Sequence, residues 1–298
     1  MSKTKSWLPI FFALAVAWGS NFMFIKGGLQ FLTPIGVAFA RYGLGALFMV
    51  VYTRRIKIKL PRERSALFHL FILSLVFNSI YGVLLCAAET RISSVLAGIF
   101  AATVPLATVF FATFVFRLEK LKKDQAIGLI IGFVGVITIV GIWQGLGENP
   151  LWAILAMLSF PLCYGFSSPY SKKYILPLGL RTQAVVTTQL CFSTVTLLPF
   201  FIFTGVKHAP NTLWQFSSVL CLGLLGSGIA FVWNLQIIER AGSIVASTIM
   251  YVTPVVTIFM GIVFLKEHVT WNEPTGCVIV LLGAAITQGR VRVNLLKG

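Results

Sequence analysis

Charge is scarce in this 298-residue sequence: only 11% of its residues are Asp, Glu, Lys or Arg. Soluble domains carry about 25% charged residues, so the chain has less than half of the usual supply. Because 57% of the residues are hydrophobic, a water-soluble globule would have too little polar surface to cover its core. A disordered chain is also excluded, since so apolar a sequence does not stay solvated. The composition therefore predicts an integral membrane protein.

Acidic and histidine side chains are absent from the interiors of the long apolar runs. All eight acids and all three histidines lie at the ends of these runs or between them. An intramembrane enzyme would need paired catalytic groups or a metal-binding histidine cluster inside the membrane. We therefore expect no catalytic residues, no metal and no cofactor.

Neither disulfide pairing nor nucleic-acid binding is indicated. The five cysteines are odd in number and each lies within an apolar run, where a thiol is expected to pack in the core. The net charge of +16 would suit a nucleic acid only if the bases formed one folded patch. They sit instead in short segments between the apolar runs, so no nucleic-acid partner is expected.

Ten apolar runs predict ten transmembrane helices. A helix needs about 20 apolar residues to cross the hydrocarbon layer, and only helices or closed barrels satisfy the backbone there. The alternation of apolar and polar residues that a barrel requires is missing. Arg41 is the only charge within a run, and Trp271 and Asn272 can extend the short last run. The runs are 6–25, 27–53, 70–88, 92–116, 125–147, 149–171, 182–206, 209–238, 241–265 and 274–289.

The basic residues orient the predicted helices. With the N-terminus inside the cell, nineteen bases fall in inner segments, and only four fall in outer segments. The outer bases are Lys26, Arg91, Lys207 and Lys266. Because cytoplasmic segments carry an excess of Lys and Arg, both termini are predicted to be cytoplasmic. The expected location is the cell (inner) membrane.

The two halves of the sequence match each other at an offset close to 148. The prediction is one five-span unit over 1–146 and a second over 147–298. Because five is odd, the second unit must insert upside down relative to the first. Such inverted repeats give many secondary transporters two nearly equivalent packings. The matched pairs are Pro105 with Pro254, Glu119 with Glu267, Gly128 with Gly276, and Gly135 with Gly283.

These residues resemble the EamA branch of the drug/metabolite transporter superfamily. The resemblance covers almost the whole chain. It rests on the Pro…Glu…Gly…Gly series in each half, on Pro34 and Arg41, and on the Trp-Gly-Ser-Asn-Phe run at 18–22. It implies an all-α membrane fold of ten helices in a 5+5 inverted repeat, a central substrate path and, often, export of amino acids or related metabolites. The one-residue difference between the Pro and Glu offsets leaves a small insertion or bulge to be placed.

Arg41 is the most informative single residue. It lies seven residues into the second span, which corresponds to about 10 Å of helical rise. A charge near the membrane centre costs about 2.5–3.5 kcal/mol on insertion scales, so something must compensate it. One hypothesis is a substrate carboxylate, which the planar guanidinium fits. The other is a structural ion pair with Glu89, at the outer end of the third span.

Polar and aromatic residues near mid-span form the rest of the candidate substrate site. Singly, each is expected to make ordinary interhelical hydrogen bonds. Together they could line a pocket with aromatic walls and a few hydrogen-bonding groups, which fits an amphipathic solute. Besides Arg41, the candidate substrate-binding residues are Trp18, Ser20, Asn21, Asn78, Tyr81, Tyr164, Gln189, Ser247 and Tyr251.

Two prolines are candidate helix breaks. A proline inside a helix frees the carbonyl four residues earlier, which would be Ala101 for Pro105 and Met250 for Pro254. Interruptions at matching places in two halves point to a midplane site. The alternative is a pair of kinks needed only for packing. If the breaks mark a midplane site, a freed carbonyl would accept a hydrogen bond from a substrate ammonium.

The resemblance and the pattern together predict an exporter of amino acids, aromatic or otherwise amphipathic, or of related small metabolites, working by alternating access. Since no acid or histidine relay lies inside a span, we expect facilitated diffusion without proton coupling. The alternatives are a carrier of the same fold for another small metabolite or drug-like solute, with proton coupling, and an open channel. The expected partners are the lipid bilayer and a small-molecule substrate, with the chain a monomer or a weak homodimer.

Overall fold

The computed structural model of the chain describes residues 7–118, 123–140 and 150–287. These residues are almost entirely helical, and within the described ranges the only strand-like pairing is an isolated bridge between Leu32 and Val206. Several predictions fall outside the described residues: the placement of both chain ends, Glu119, and the boundary between the halves at 146 and 147.

Ten helical segments follow one another along the described chain. In order they are α1 (Leu8–Leu29), α2 (Pro34–Arg55), α3 (Arg64–Ala88), α4 (Ser94–Val115), α5 (Lys123–Val140), α6 (Leu151–Leu178), α7 (Thr182–Thr204), α8 (Leu213–Ala241), α9 (Val245–Leu265) and α10 (Asn272–Thr287).

Eight of these helices are long and apolar enough to cross a membrane. The other two are shorter: the apolar described part of α5 is Ala126–Ile139, and α10 has 16 residues. An all-helical chain with eight such helices fits the predicted integral membrane protein. The number of ten spans stays a prediction.

The first two helices are divided differently from the sequence prediction, which separated the spans at Lys26. In the structure α1 continues through Lys26 to Leu29, and α2 begins at Pro34. The Thr33 hydroxyl accepts a hydrogen bond from the Gly36 N–H (3.1 Å), and proline is well suited to the first helical position. The capping residues, rather than the charge, set this boundary.

The main contacts between helices come in pairs. Helix α1 packs on α9 and α4 packs on α6; α1 also packs on α8, and α3 on α6. Likewise α2 contacts α8, and α3 contacts α7. Other large contacts join α2 to α7, α4 to α9 and α5 to α10. The contacts named here are unchanged when each of the first five helices is exchanged with the helix five places later.

Glycines bring the backbones of α5 and α10 into direct contact. A Cβ atom placed on Gly276 would lie 2.8 Å from the Gly135 carbonyl oxygen, and one on Gly283 would lie 2.7 Å from that of Gly128. Small residues allow such close approach between membrane helices. These four glycines are the two pairs that match between the halves of the sequence. Each contact joins a glycine of one half to a glycine of the other.

Two π-helical turns occupy corresponding positions in the two halves. One spans Leu75–Ile80 within α3 and the other Leu224–Ile229 within α8, and both have six residues. Their first residues are 149 positions apart, the same offset as Pro105 and Pro254. π-helical turns occur often at functional sites. Both turns lie next to the candidate site described below.

The two candidate proline breaks differ from each other. Helix α4 is interrupted at Ala102–Thr103, and Pro105 lies in the first turn of the part that follows. Pro254 instead lies inside the continuous helix Ile249–Leu265. The interruption in α9 falls at Thr248, six residues earlier. The prolines match in sequence, but the breaks do not occupy matching places.

Candidate functional site

Arg41 is buried at the centre of the helix bundle, with 1% of its surface exposed. Its Nε donates a hydrogen bond to the Ser227 hydroxyl (2.7 Å), and its Nη2 contacts the Gly226 carbonyl (3.4 Å). Both acceptors belong to the π-helical turn of α8. The Asn21 side-chain amide can hydrogen-bond two groups at once. In that orientation its nitrogen donates to the Ala17 carbonyl (3.1 Å), and its oxygen accepts from Arg41 Nη2 (3.2 Å). Nη1 has no hydrogen-bond partner among the described residues.

The proposed structural ion pair between Arg41 and Glu89 is not made in this structure. Neither carboxylate oxygen of Glu89 has a hydrogen-bond partner in the described part of the chain. Neutral groups of α8 and α1 therefore hold the guanidinium. One of its nitrogens remains available, as the hypothesis of a bound carboxylate requires.

A narrow cavity, here called the Arg41 cavity, lies beside this guanidinium. Its walls are mainly aromatic, with one leucine, one methionine and a few polar groups. It is lined by Trp18, Asn21, Phe22, Arg41, Phe77, Tyr81, Leu85, Phe160, Tyr164, Phe231, Met250 and Thr253. The structure thus brings together five of the sequence-predicted substrate residues: Trp18, Asn21, Arg41, Tyr81 and Tyr164.

Trp18 fixes one wall of this cavity. Its indole N–H donates to the Gly226 carbonyl (3.2 Å), the same oxygen that Arg41 approaches. Its ring meets the Tyr164 ring edge-on, with centroids 5.7 Å apart. The donors on α1 and α2 therefore share one carbonyl, and this links the first half of the chain to α8.

Asn78 and Gln189 do not line the Arg41 cavity. The Gln189 amide donates to Asn78 Oδ1 (3.1 Å), and the Asn78 amide donates to the Ser193 hydroxyl (2.7 Å). Ser74 also bonds that hydroxyl (2.8 Å). These residues form a buried polar chain between α3 and α7, which is the interhelical role that such side chains ordinarily have.

Ser20, Ser247 and Tyr251 also lie away from the cavity lining. The Ser20 hydroxyl donates to the Val16 carbonyl within its own helix (2.9 Å). Ser247 is buried at the start of α9, before the interruption at Thr248, and Tyr251 is half-buried just after it. The same helix contributes Met250 and Thr253 to the cavity wall.

Removing the Ser193 hydroxyl is expected to destabilise the protein. In Ser193→Ala, the buried Asn78 amide loses its acceptor, and an unsatisfied buried polar group costs about 1–3 kcal/mol. We expect a lower thermal unfolding temperature in detergent. Thr204→Val is the matched control, because Thr204 is exposed and its hydroxyl donates to the carbonyl of Phe200 in its own helix. Equal unfolding temperatures for the two variants would contradict this role.

A second cavity, here called the serine cavity, lies on the other side of two aromatic rings. It is lined by Leu73, Phe77, Ser167, Ser168, Ser171, Val185, Val186, Gln189, Phe231, Asn234, Leu235 and Ile238. Phe77 and Phe231 line both cavities, and their ring centroids are 5.3 Å apart. Tyr164 stands beside Phe77 (5.4 Å) and donates to Asn234 Oδ1 (2.9 Å). These rings form an aromatic barrier between the two cavities.

The predicted substrate-binding residues did not include several residues of this region, chiefly Phe77, Gly226, Phe231 and Asn234. Phenylalanines are too common in the apolar runs to stand out. The Gly-Ser-Gly run at 226–228, in the middle of an apolar segment, is the one signal that could have identified the α8 turn. The sequence could not identify the Gly226 carbonyl as the acceptor for Trp18 and Arg41, because every residue has a main-chain carbonyl.

Comparison with known proteins gives matches along most of the chain. The EamA-like transporter family matches twice, over residues 5–141 and 151–288. The inner membrane transporter YedA of Escherichia coli (strain K12), itself uncharacterized, is 29% identical over 258 residues, covering 85% of this chain and 82% of that protein. An uncharacterized transporter of Archaeoglobus fulgidus is 27% identical, covering 95% of this chain and 98% of that one.

A protein of Salmonella typhimurium named as a probable amino-acid metabolite efflux pump is 23% identical over 307 residues, covering 99% of this chain and 98% of that protein. A crystal structure with 18% sequence identity has a TM-score of 0.70, covering 96% of this chain and 98% of that chain; this similarity concerns the fold. Since the family matches both halves and the described chain contains several helices able to span a membrane, this chain belongs to the EamA-like transporter family and is a multi-pass membrane transporter.

Proposed function

We propose that this transporter exports amino acids or closely related small metabolites, and that the Arg41 cavity holds the solute. The observation that carries the proposal is the buried guanidinium of Arg41, whose Nη1 has no hydrogen-bond partner among the described residues and which lines a cavity with aromatic walls. A carboxylate bound there would pair with a charge that is otherwise costly to bury.

The chemistry of the cavity supports an amphipathic solute. Arg41 offers a charged donor, and charge-assisted hydrogen bonds to carboxylates are among the stronger ones in proteins. Trp18, Tyr81 and Phe160 offer ring faces and edges for an apolar side chain. The name of the Salmonella typhimurium relative, a probable amino-acid metabolite efflux pump, is consistent with this class of solute.

Alternating access between two oppositely inserted halves is the proposed mechanism, with 1–146 and 147–298 as the halves and both termini in the cytoplasm. Three features support it: the paired helix contacts, the reciprocal glycine contacts of α5 and α10, and the π-helical turns 149 residues apart. In this orientation the Arg41 cavity faces the outer side of the cell membrane and the serine cavity the inner side. The aromatic barrier separates them.

The solute class is tested by binding to purified wild-type protein in detergent, read as a rise in thermal unfolding temperature. Phenylalanine and 3-phenylpropionate both carry a carboxylate, whereas phenethylamine has the ring and the ammonium without it. We expect the two carboxylates to stabilise the protein and phenethylamine not to. Stabilisation by phenethylamine alone would overturn the assignment of Arg41 as the carboxylate site.

Export is tested in cells. A strain that expresses the protein is grown with toxic levels of each amino acid in turn, and the screen is repeated with Arg41→Ala. We expect rescue by the wild type for at least one amphipathic amino acid and loss of that rescue in the variant. Rescue that is equal for both proteins would contradict the proposed site.

A further inference from the structure

Glu89 lies at the C-terminal end of α3 and is completely buried. It stands one helical turn beyond Leu85, which lines the Arg41 cavity, and Lys26 stands one turn beyond Phe22, another lining residue. Glu89 and Lys26 therefore lie between the cavity and the ends of α3 and α1. In the proposed orientation these are the outer ends.

Lys26 is held by main-chain carbonyls instead of the carboxylate. Its ammonium donates to the carbonyl oxygens of Glu89 and Ile92, both at 2.7 Å. The C-terminal end of a helix carries partial negative charge, which stabilises a cation. The charge of Lys26 is thus compensated by two main-chain carbonyls, one at the end of α3 and one in the loop that follows it.

Glu267, the other acid near Glu89, is held by a helix N-terminus. Its two carboxylate oxygens accept hydrogen bonds from the main-chain N–H groups of Ser94 (2.8 Å) and Val95 (2.9 Å), in the first turn of α4. The N-terminal end of a helix stabilises negative charge. Both carboxylate oxygens of Glu267 therefore have a hydrogen-bond donor.

The carboxyl of Glu89 has no such partner within the described ranges: neither of its oxygens makes a hydrogen bond. The titratable groups whose charges act on it are Lys26 on α1, Arg41 on α2, Tyr81 and Cys86 on α3, and Glu267 after α9. Burial raises the pKa of Glu89 well above its usual range, and Lys26 opposes this only in part. Burying an ionised carboxylate without partners is unfavourable, so such a group takes up a proton instead.

We propose that Glu89 is a proton-binding site that controls the opening of the outer end of the Arg41 cavity. The inference rests on the proposed function for the orientation and the cavity. With the outer end closed, the carboxyl carries its proton. When α1 and α3 separate, water reaches the carboxyl, the O–H bond breaks, the proton passes to water on the outer side, and the carboxylate that remains is hydrated.

The sign of the pH effect follows from the protonated closed form. Because the closed form binds one more proton than the open form, low outer pH favours closure. This advantage disappears as the pH rises through the raised pKa of the closed state. The sequence prediction of transport without protons depended on having no acid inside a span. Glu89 lies at a span end, yet the structure buries it completely.

The proton itself is detected by infrared spectroscopy of the reconstituted full-length protein. A protonated carboxylic acid gives a C=O stretching band that a carboxylate lacks. At neutral pH we expect this band in the wild type and its loss in Glu89→Gln, whereas Glu63→Gln keeps it because Glu63 is exposed. A band unchanged in Glu89→Gln would overturn the proposal. Should that variant fold poorly, absence of the band from the wild type at neutral pH would overturn it equally.

The gate is detected by hydrogen exchange of peptides covering residues 22–29 and 85–96, corrected for the chemical effect of pH. In the wild type and in Glu63→Gln we expect exchange to rise with pH, by up to about tenfold per pH unit. Glu89→Gln, which stays neutral, should lose this dependence, and Glu89→Asp should keep it. The same pH dependence in wild type and Glu89→Gln would overturn the proposal. No solute is added, so the result is independent of whether amino acids are exported.

Discussion

Replacing Arg41 by alanine is expected to lower the affinity for phenylalanine by about tenfold or more and to abolish its counterflow in proteoliposomes. Hydrogen bonds to charged groups contribute about 1.5–3 kcal/mol, and about 1.4 kcal/mol corresponds to a tenfold change. The variant also leaves the Ser227 hydroxyl without the Nε donor. Equilibrium counterflow of radiolabelled phenylalanine, with the affinity taken from its concentration dependence, measures the effect.

Two controls separate binding from folding. Arg41→Lys keeps the charge but loses the planar fork, so we expect weaker binding than in the wild type and stronger binding than in Arg41→Ala. Ser227→Ala removes a partner of Arg41 while keeping the guanidinium, and it should retain counterflow. Wild-type affinity for phenylalanine in Arg41→Ala would show that the guanidinium does not bind the solute.

Replacing Gly283 by alanine is expected to unfold the protein at a much lower temperature. The added Cβ would lie 2.5 Å from the Gly132 main-chain nitrogen and 2.7 Å from the Gly128 carbonyl oxygen. Main-chain atoms cannot move aside as a flexible side chain can, so α5 and α10 must separate. Overpacking typically costs about 1–3 kcal/mol, and occasionally more. Thermal unfolding in detergent measures the loss.

Gly43→Ala is the matched control for this prediction. The nearest atom to a Cβ at Gly43 is Thr194 Cγ2, at 3.6 Å, which is an ordinary contact. Alanine in a helix interior is favoured over glycine by about 0.5–1 kcal/mol, so this variant should be at least as stable as the wild type. An unfolding temperature for Gly283→Ala equal to that of Gly43→Ala would contradict the close α5–α10 contact.

Much of the fold could be predicted from apolar runs alone, because a membrane requires long helices whatever else the chain does. The predictions were weaker where a local interaction determines where a helix ends or breaks. Lys26 looked like the end of a span, but its ammonium bonds the carbonyls of Glu89 and Ile92, and α1 continues past it to Leu29. Pro254 looked like a break, but the helix Ile249–Leu265 continues through it.

The candidate site was predictable where composition carried the signal. Arg41 stood out as the only charge within a run, and Trp18, Asn21, Tyr81 and Tyr164 do line the same cavity. The sequence could not give the rotation of α3 and α7, which turns Asn78 and Gln189 toward each other. Nor could it show that Glu89, at the end of a run, is buried without a hydrogen-bond partner in the described chain.

The proposed mechanism depends most on two halves that cross the membrane in opposite directions. The loop at 56–63, between α2 and α3, corresponds at an offset of 149 to the loop at 205–212, between α7 and α8. Reporter fusions at Lys59 and Lys207 test this without any knowledge of the solute. The inverted arrangement predicts a fluorescent cytoplasmic reporter at Lys59 and an active periplasmic phosphatase at Lys207. Both reporters on the same face of the membrane would contradict it.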